Sequence, residues 1–283
     1  MKKIIVVSDM FSADYGGGAE LTTDAIISYA PATLEIERRH CKLLTLEDIK
    51  NNKDAHWIVC NFATLEENIK VFFCKNLSYS IIEYDYKLCR YRSLEKHLAI
   101  AGKECDCLET TSGKLNKAFY AYARNVWFMA EKQRNIFLDR LNVLKLEKTH
   151  VLGSVFNQGN LRFMQSIKNN PKNEKYLVLQ SKSWIKGTEE CIKYAVDSKL
   201  EYEAISDLPY HEMLIKLSTS KGLIFRPLGD DTCPRIVIEA RILGCDLKLN
   251  DHVQHKDEEW FSNAQAIPAY ITTQVEHFWG IYE

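Results

Sequence analysis

The sequence predicts an α/β protein built on parallel sheets and divided into two successive units. Three observations predict it. Short, β-rich apolar runs alternate with helical patterns along the chain. The rhythm pauses at a polar connection and then restarts. Glycine-containing turns stand where strands give way to helices. The length of 283 residues suits two domains of roughly 100–150 residues each.

The elements follow in order. In the first half the strand-like runs are Lys3–Ser8, Cys41–Thr45, Trp57–Asn61, Ser80–Tyr84, Val126–Met129 and His150–Gly153. Helical patterns fall between them at Glu20–Tyr29, Leu65–Cys74, Lys117–Arg124 and Glu131–Leu141. The second half repeats the rhythm with strands at Tyr176–Gln180, Tyr202–Ile205, Leu223–Phe225 and Cys245–Leu249, and helices at Glu189–Ser198, Pro209–Leu217 and Arg235–Leu243. Gln165–Lys175 is polar and loop-like. A boundary near Ser154–Phe156 gives domains at 1–154 and 155–262. The remaining segment, 263–283, is aromatic and helical in pattern, with Pro268 kinking or beginning its helix.

Composition removes some function classes. The net charge is −1, from 37 basic and 38 acidic residues, so nothing forces a nucleic-acid or membrane partner. The four apolar residues Ile4–Val7 run into Ser8-Asp9 and are too few for a signal-peptide core. No run reaches the roughly 20 apolar residues of a transmembrane segment. The expected location is cytoplasmic. The nine cysteines then read as thiols or metal ligands, not as a disulfide framework.

Three turns carry candidate chemistry. Tyr15-Gly16-Gly17-Gly18-Ala19-Glu20 joins the first strand to the first helix. Its glycines allow close backbone approach, and the helix N-terminus attracts anions; a flexible turn explains them equally well. Lys182 and Lys186 stand four apart after the strand ending at Gln180, where a pyrophosphate would find positive charge, although two solvated loop lysines would look the same. Phe225–Arg235 is a strand end, a Gly-containing loop and a helix start at Pro234. Asp231 and, eight positions on, Glu239 offer carboxylates to sugar or ribose hydroxyls. Asp231 could instead cap the helix, and Glu239 could be solvated. Its apolar neighbours Ile236, Val237, Ile238 and Ala240 argue against a surface position.

The pieces "GGGAE", "SKSWIKG" and "GDDTCPRIVIEARILGC", in this order, resemble the large retaining glycosyltransferase family numbered four. The resemblance implies a GT-B fold: two Rossmann-like domains facing a cleft, an N-terminal acceptor-side domain and a C-terminal nucleotide-sugar domain, with a final helix crossing back. It implies transfer of a sugar from a nucleotide diphosphate sugar to a hydroxyl, with retention and without a metal or other cofactor. Lys182 and Lys186 would hold the donor diphosphate, Asp231 the sugar hydroxyls and Glu239 the ribose. Gly17, Gly18, Thr232, Cys233 and Arg235 would complete the donor contacts. Tyr84, Asp85, Arg90 and Arg92 would lie on the acceptor side. Two departures stand out: the first acid is aspartate where the family usually has glutamate, and Glu83-Tyr84-Asp85-Tyr86 has tyrosine in the place of a common histidine. The acceptor stays open among a glycan, a lipid-linked sugar, a protein and a modified nucleic-acid base. Rival readings are a nucleotide-sugar epimerase on the same fold and a non-catalytic binding module.

Between Tyr86 and Lys117 the rhythm breaks, and Cys89, His97, Cys105 and Cys107 fall there. Four such ligands could close a zinc site. The spacing is no standard finger, and the expectation is free thiols with a surface histidine.

Overall fold

The computed structural model describes residues 2–283. The chain forms two compact units: one extends through Val155 and takes in Thr272–Glu283, and the other is Phe156–Ile271.

The first unit holds strands β1 (Lys2–Ser8), β2 (Leu34–His40), β3 (His56–Val59), β4 (Tyr79–Glu83), β5 (Val126–Phe128) and β6 (Thr149–Val151). All pair in parallel, in the order β2-β1-β3-β4-β5-β6. The connections carry α1 (Gly18–Ser28), α2 (Leu46–Lys50), α3 (Glu67–Asn76), α4 (Leu94–Ala101), α5 (Thr111–Tyr122) and α6 (Glu131–Arg140). Ile4, Ile5, Val6 and Val7 are buried, as expected of a central parallel strand covered on both faces.

The second unit holds α7 (Gln158–Ile167), β7 (Tyr176–Leu179), α8 (Thr188–Asp197), β8 (Tyr202–Ile205), α9 (Tyr210–Thr219), β9 (Gly222–Phe225), α10 (Arg235–Ile242), β10 (Asp246–Leu249) and α11 (Glu259–Ser262). Its sheet is also parallel, in the order β10-β9-β7-β8. The last helix, α12 (Ile267–Gly280), starts in this unit, and its residues from Thr272 belong to the first. Pro268 stands in its first turn, where a missing N–H costs no helical hydrogen bond. Among the described residues no helix is long and apolar enough to cross a membrane.

Several elements differ from the sequence expectation. The strand expected at Cys41–Thr45 is instead Leu34–His40, an edge strand whose Glu35, Glu37, Arg38 and Arg39 hide it from a hydropathy reading. Charges on an edge deter pairing with another chain. Cys41–Leu43 is a single 3₁₀ turn. Thr45 then caps α2, its Oγ1 accepting from the Asp48 amide at 3.1 Å. The loop expected from Gln165 begins later, because α7 runs to Ile167; Asn157 caps it, accepting from the Asn160 amide at 2.7 Å, and Leu161 and Met164 bury one face. Helix α4 lies in the segment where the rhythm breaks, capped by Ser93.

The first unit's core is aromatic. Tyr79 stacks on Phe119 at 4.8 Å, while Phe73 meets Trp57 edge-on at 5.3 Å. Such pairs add about 0.5–1.5 kcal/mol beyond burial alone. The C-terminal segment joins this unit through Trp279, whose indole N–H donates to the Ile26 carbonyl at 2.9 Å, and Tyr282, whose hydroxyl accepts from Trp127 at 3.0 Å. Trp279→Ala should cost ~3–5 kcal/mol in chemical denaturation. Ile281→Ala, at an exposed neighbouring position, should stay within about 0.5 kcal/mol. Equal effects would show that the segment is not part of the core.

Candidate functional site

In open parallel sheets, ligands bind beyond the carboxyl ends of the strands, where the strand order reverses. In the second unit β7 lies between β8 and β9, so the reversal falls at the β7/β9 junction. The loops after those two strands carry the lysines and acids singled out in the sequence. The Leu228 amide donates to the Ile185 carbonyl at 2.9 Å and ties the loops together. Gly187 makes this approach possible: its φ is 60°, and a Cβ there would lie 2.4 Å from the Arg226 carbonyl oxygen.

Lys186 and Asp231 meet across these loops, Nζ donating to Oδ2 at 2.6 Å. The Asp231 backbone is fixed as well. Its amide donates to the His252 carbonyl at 2.8 Å, and its carbonyl accepts from the Gln254 amide at 3.2 Å. The adjacent Asp230 carboxylate accepts from Gln254 Nε2 at 2.7 Å and bonds His252 Nδ1 at 2.9 Å. Asp231 is therefore held as part of this loop, not as a helix cap. Thr232 and Cys233 follow it and are buried, whereas Lys182 stands exposed at the start of its loop.

Helix α10 is apolar on nearly every side, yet Glu239 within it is only 1% exposed. A buried carboxylate needs partners. Tyr210 supplies one, its hydroxyl donating to Oε1 at 2.8 Å, and Arg235 approaches the same oxygen to 3.7 Å. Arg235 also donates to the Tyr210 hydroxyl at 3.3 Å, and its guanidinium lies 3.9 Å from the Phe156 ring centroid. Burial raises the Glu239 carboxyl above its ordinary range, with Arg235 and Tyr210 opposing. Tyr210 and Phe156 escaped the sequence reading. Tyr210 looks like an ordinary helix start after Pro209, and nothing local links it to an acid 29 positions away.

The first unit gathers a second polar cluster. There β1 lies between β2 and β3, and the glycine turn follows β1. Gly17 is the N-cap of α1 without a side-chain cap, and Gly18 opens the helix. Glu20 beyond them is buried, and burial raises its carboxyl while Arg92, Asn61 and Lys87 favour the charged form. Tyr84 shares a 2.7 Å hydrogen bond with Thr23. Asp85 accepts from Arg92 Nε at 2.6 Å and from Lys87 Nζ at 3.0 Å. Lys87 also bonds Glu83 at 3.1 Å, and Tyr120 donates to the same carboxylate. Arg92 has φ 57° and reaches Asn61 Oδ1 at 3.1 Å. Arg90 stays apart, exposed, its guanidinium over the Tyr91 ring. Thr23 and Asn61, both on ordinary-looking elements, are members the sequence did not single out.

The cysteine–histidine segment departs from expectation. His97 is no surface residue, being 1% exposed, and its ring lies among Cys89, Cys105 and Cys107.

No protein-family model matches the sequence, and no curated protein matches it. Solved structures do match. A UDP-forming α,α-trehalose-phosphate synthase from Burkholderia xenovorans superposes with TM-score 0.53 at 9% identity, over 98% of this chain and 96% of that one. HepE of Anabaena, solved with UDP and glucose, gives 0.54 at 10% identity over 98% and 96%. A UDP-GlcNAc 2-epimerase from Neisseria meningitidis gives 0.50 at 11% identity over 98% and 92%. The fold is GT-B. At such identities the likeness is one of fold, and the side chains must carry any functional reading.

One buried group beside the second unit's loops contributes to a pH dependence. His255 is fully buried, stacked on Trp260 at 5.5 Å and edge-on to Phe261 at 4.7 Å. Burial pushes its imidazole down from 6.5 to about 3. Between those values the unfolded chain takes up a proton that the folded chain refuses. The stability is present above about pH 6.5 and is lost as pH falls towards 3, by up to roughly 1.4 kcal/mol per pH unit. His255→Phe should lower the slope of denaturation stability between pH 7 and 4 and leave the share of His56, whose buried imidazole is likewise pushed down to about 4. An unchanged slope would assign the acid sensitivity to other groups.

Proposed function

We propose that this chain is a glycosyltransferase that binds a nucleotide diphosphate sugar in its second unit and transfers the sugar, with retention, to a hydroxyl acceptor. The observation that carries the reading is the Lys186–Asp231 pair at the β7/β9 reversal, with buried Glu239 on the helix that follows. A diphosphate leaving group gains charge on its bridging oxygen as the glycosidic bond breaks. Lys186, joined by Lys182, offers positive charge that strengthens in the transition state, and the N-terminus of α10 adds the amide ends of its first turn. Asp231 accepts from donor-sugar hydroxyls, and Glu239 accepts from ribose hydroxyls, aimed by Tyr210 and Arg235. Arg235, Thr232 and Cys233 shape the donor pocket. Without donor, Lys186 and Asp231 satisfy each other; diphosphate and sugar hydroxyls replace those bonds when donor binds. In the first unit, Tyr84, Asp85 and Arg92 belong to the acceptor side, while Gly17 and Gly18 leave the start of α1 open to an anionic or hydroxylated group.

Uridine diphosphate sugars are the first donors to test, since HepE on this fold was solved with UDP and glucose. The epimerase of the same fold gives the second reading, which needs no acceptor. Acceptor-dependent release of free nucleotide supports transfer, and interconversion of two nucleotide sugars without release supports epimerisation.

The kinetic test lies in two variants. Lys186→Ala should lower turnover by roughly 10²–10³. Its ion pair is partly exposed, so the melting transition should move by the equivalent of less than about 1 kcal/mol. Glu239→Gln keeps the shape of the buried side chain and should act mainly on nucleotide affinity, because ribose contacts are alike in ground and transition states. Full turnover and an unaltered KM in Lys186→Ala would remove the donor site from these loops.

A further inference from the structure

The segment between β4 and α5 sends Tyr86 and Leu88 into the first unit's core, and beside them it buries three side chains of the types that ligate metals. Cys89, His97 and Cys107 are 2%, 1% and 7% exposed, and Cys105 is partly buried beside them. They are spread over 19 positions of sequence and converge so that one ligand atom from each lies within 4.8 Å of all the others. Among the described residues no other cysteines gather in such a group. Cys41, Cys60, Cys191 and Cys245 are buried singly in the manner of small core residues.

The distances have the size of a coordination shell. His97 Nδ1 lies 3.4 Å from Cys89 Sγ and 3.6 Å from Cys107 Sγ. A tetrahedron with metal–sulfur bonds of about 2.3 Å and metal–nitrogen bonds of about 2.0–2.1 Å has sulfur–nitrogen edges of about 3.6 Å. The surroundings are built for thiolates. The Tyr91 amide points at Cys89 Sγ from 3.4 Å, and the Arg90 amide at Cys107 Sγ from 3.5 Å. The other imidazole nitrogen, Nε2, is buried without a hydrogen bond and faces Asp106 Oδ1 at 3.8 Å. That is the place of the carboxylate that orients a metal-bound histidine.

We propose that Cys89, His97, Cys105 and Cys107 bind one structural zinc ion. Three thiolates and an imidazole select zinc among the common divalent ions, and four protein ligands leave no open position for catalysis. The backbone is shaped to deliver them. Gly113, in the first turn of α5, presses on the 3₁₀ turn that starts at Cys107; a Cβ there would lie 1.9 Å from the Cys107 carbonyl oxygen. Thr110 donates to that same carbonyl at 2.7 Å. The ion ties the turn after β4 to α4 and to the 3₁₀ turn before α5, and so fixes the turn presenting Arg92 to Asp85 and Asn61.

Metal analysis of the full chain purified under reducing conditions tests this. One zinc per chain is expected, retained in Cys74→Ser and lost in Cys107→Ser and His97→Ala. These two variants could fail to fold, so the wild-type chain is also produced with cobalt in place of zinc. It should show the visible d–d and thiolate-to-cobalt charge-transfer bands of a tetrahedral site. A thiol-blocking mercurial should release zinc from the folded wild-type chain in step with those cysteines. A folded wild-type chain that takes up neither zinc nor cobalt overturns the proposal. So does an iron–sulfur spectrum, or a disulfide among the three cysteines in reduced protein.

Discussion

Parallel pairing of one strand on both of its edges governs where everything else can go. β1 takes β2 on one side and β3 on the other, and β7 takes β8 and β9 in the same way. Crossovers between parallel strands are right-handed, so connections leaving such a strand in opposite directions cover opposite faces of the sheet. Neither covers the carboxyl edge between them. Backbone groups and polar side chains can be kept there without filling a core, and both polar clusters collect at such edges. Gly187 illustrates the tightness of the arrangement, since two loops must pass within van der Waals reach for Lys186 to meet Asp231.

The charges at these edges are held by one another more than by water. Glu83 and Lys87 are almost fully buried, as are Arg235 and Glu239. Pairs of this kind add little net stability against an apolar replacement, but removing one member costs about 3–5 kcal/mol because the survivor is stranded. Their worth is geometric. Tyr210 and Arg235 both meet Glu239 at Oε1, and Asp85 is caught between Arg92 and Lys87. A ligand meeting groups already so fixed loses less entropy in ordering them.

Much of the fold was legible because buried parallel strands advertise themselves. Ile4–Val7 and Leu223–Phe225 are unmistakable runs, and the glycine turns mark where strands end. The edge strand β2 was not legible, because Leu-Glu-Ile-Glu-Arg-Arg-His has one solvated side and its charges break the pattern. Helix α7 was lost for a similar reason: of its ten residues only Leu161 and Met164 are buried. In the candidate site, Lys186, Asp231 and Glu239 could be singled out because each lies beside a local landmark. Tyr210, Asn61 and Thr23 could not, since their importance comes from contacts across the sheet edge that spacing along the chain does not encode. His97 was misplaced because a lone histidine in a basic stretch looks solvated until the three thiols are seen around it.

The route of α12 bears on how the molecule is made. Trp279 and Tyr282 complete the packing around Ile26 and Trp127, yet Phe156–Ile271, the whole second unit, is synthesised before them. A nascent chain on the ribosome can therefore close its second sheet while the first still lacks two aromatic side chains of its core. Domains of large proteins usually mature in the order in which they emerge, N-terminal first. Here the order of synthesis and the order of completion are opposed. The earlier-made unit therefore keeps the apolar surface around Ile26 and Trp127 uncovered until the last residues of α12 and Tyr282 are available.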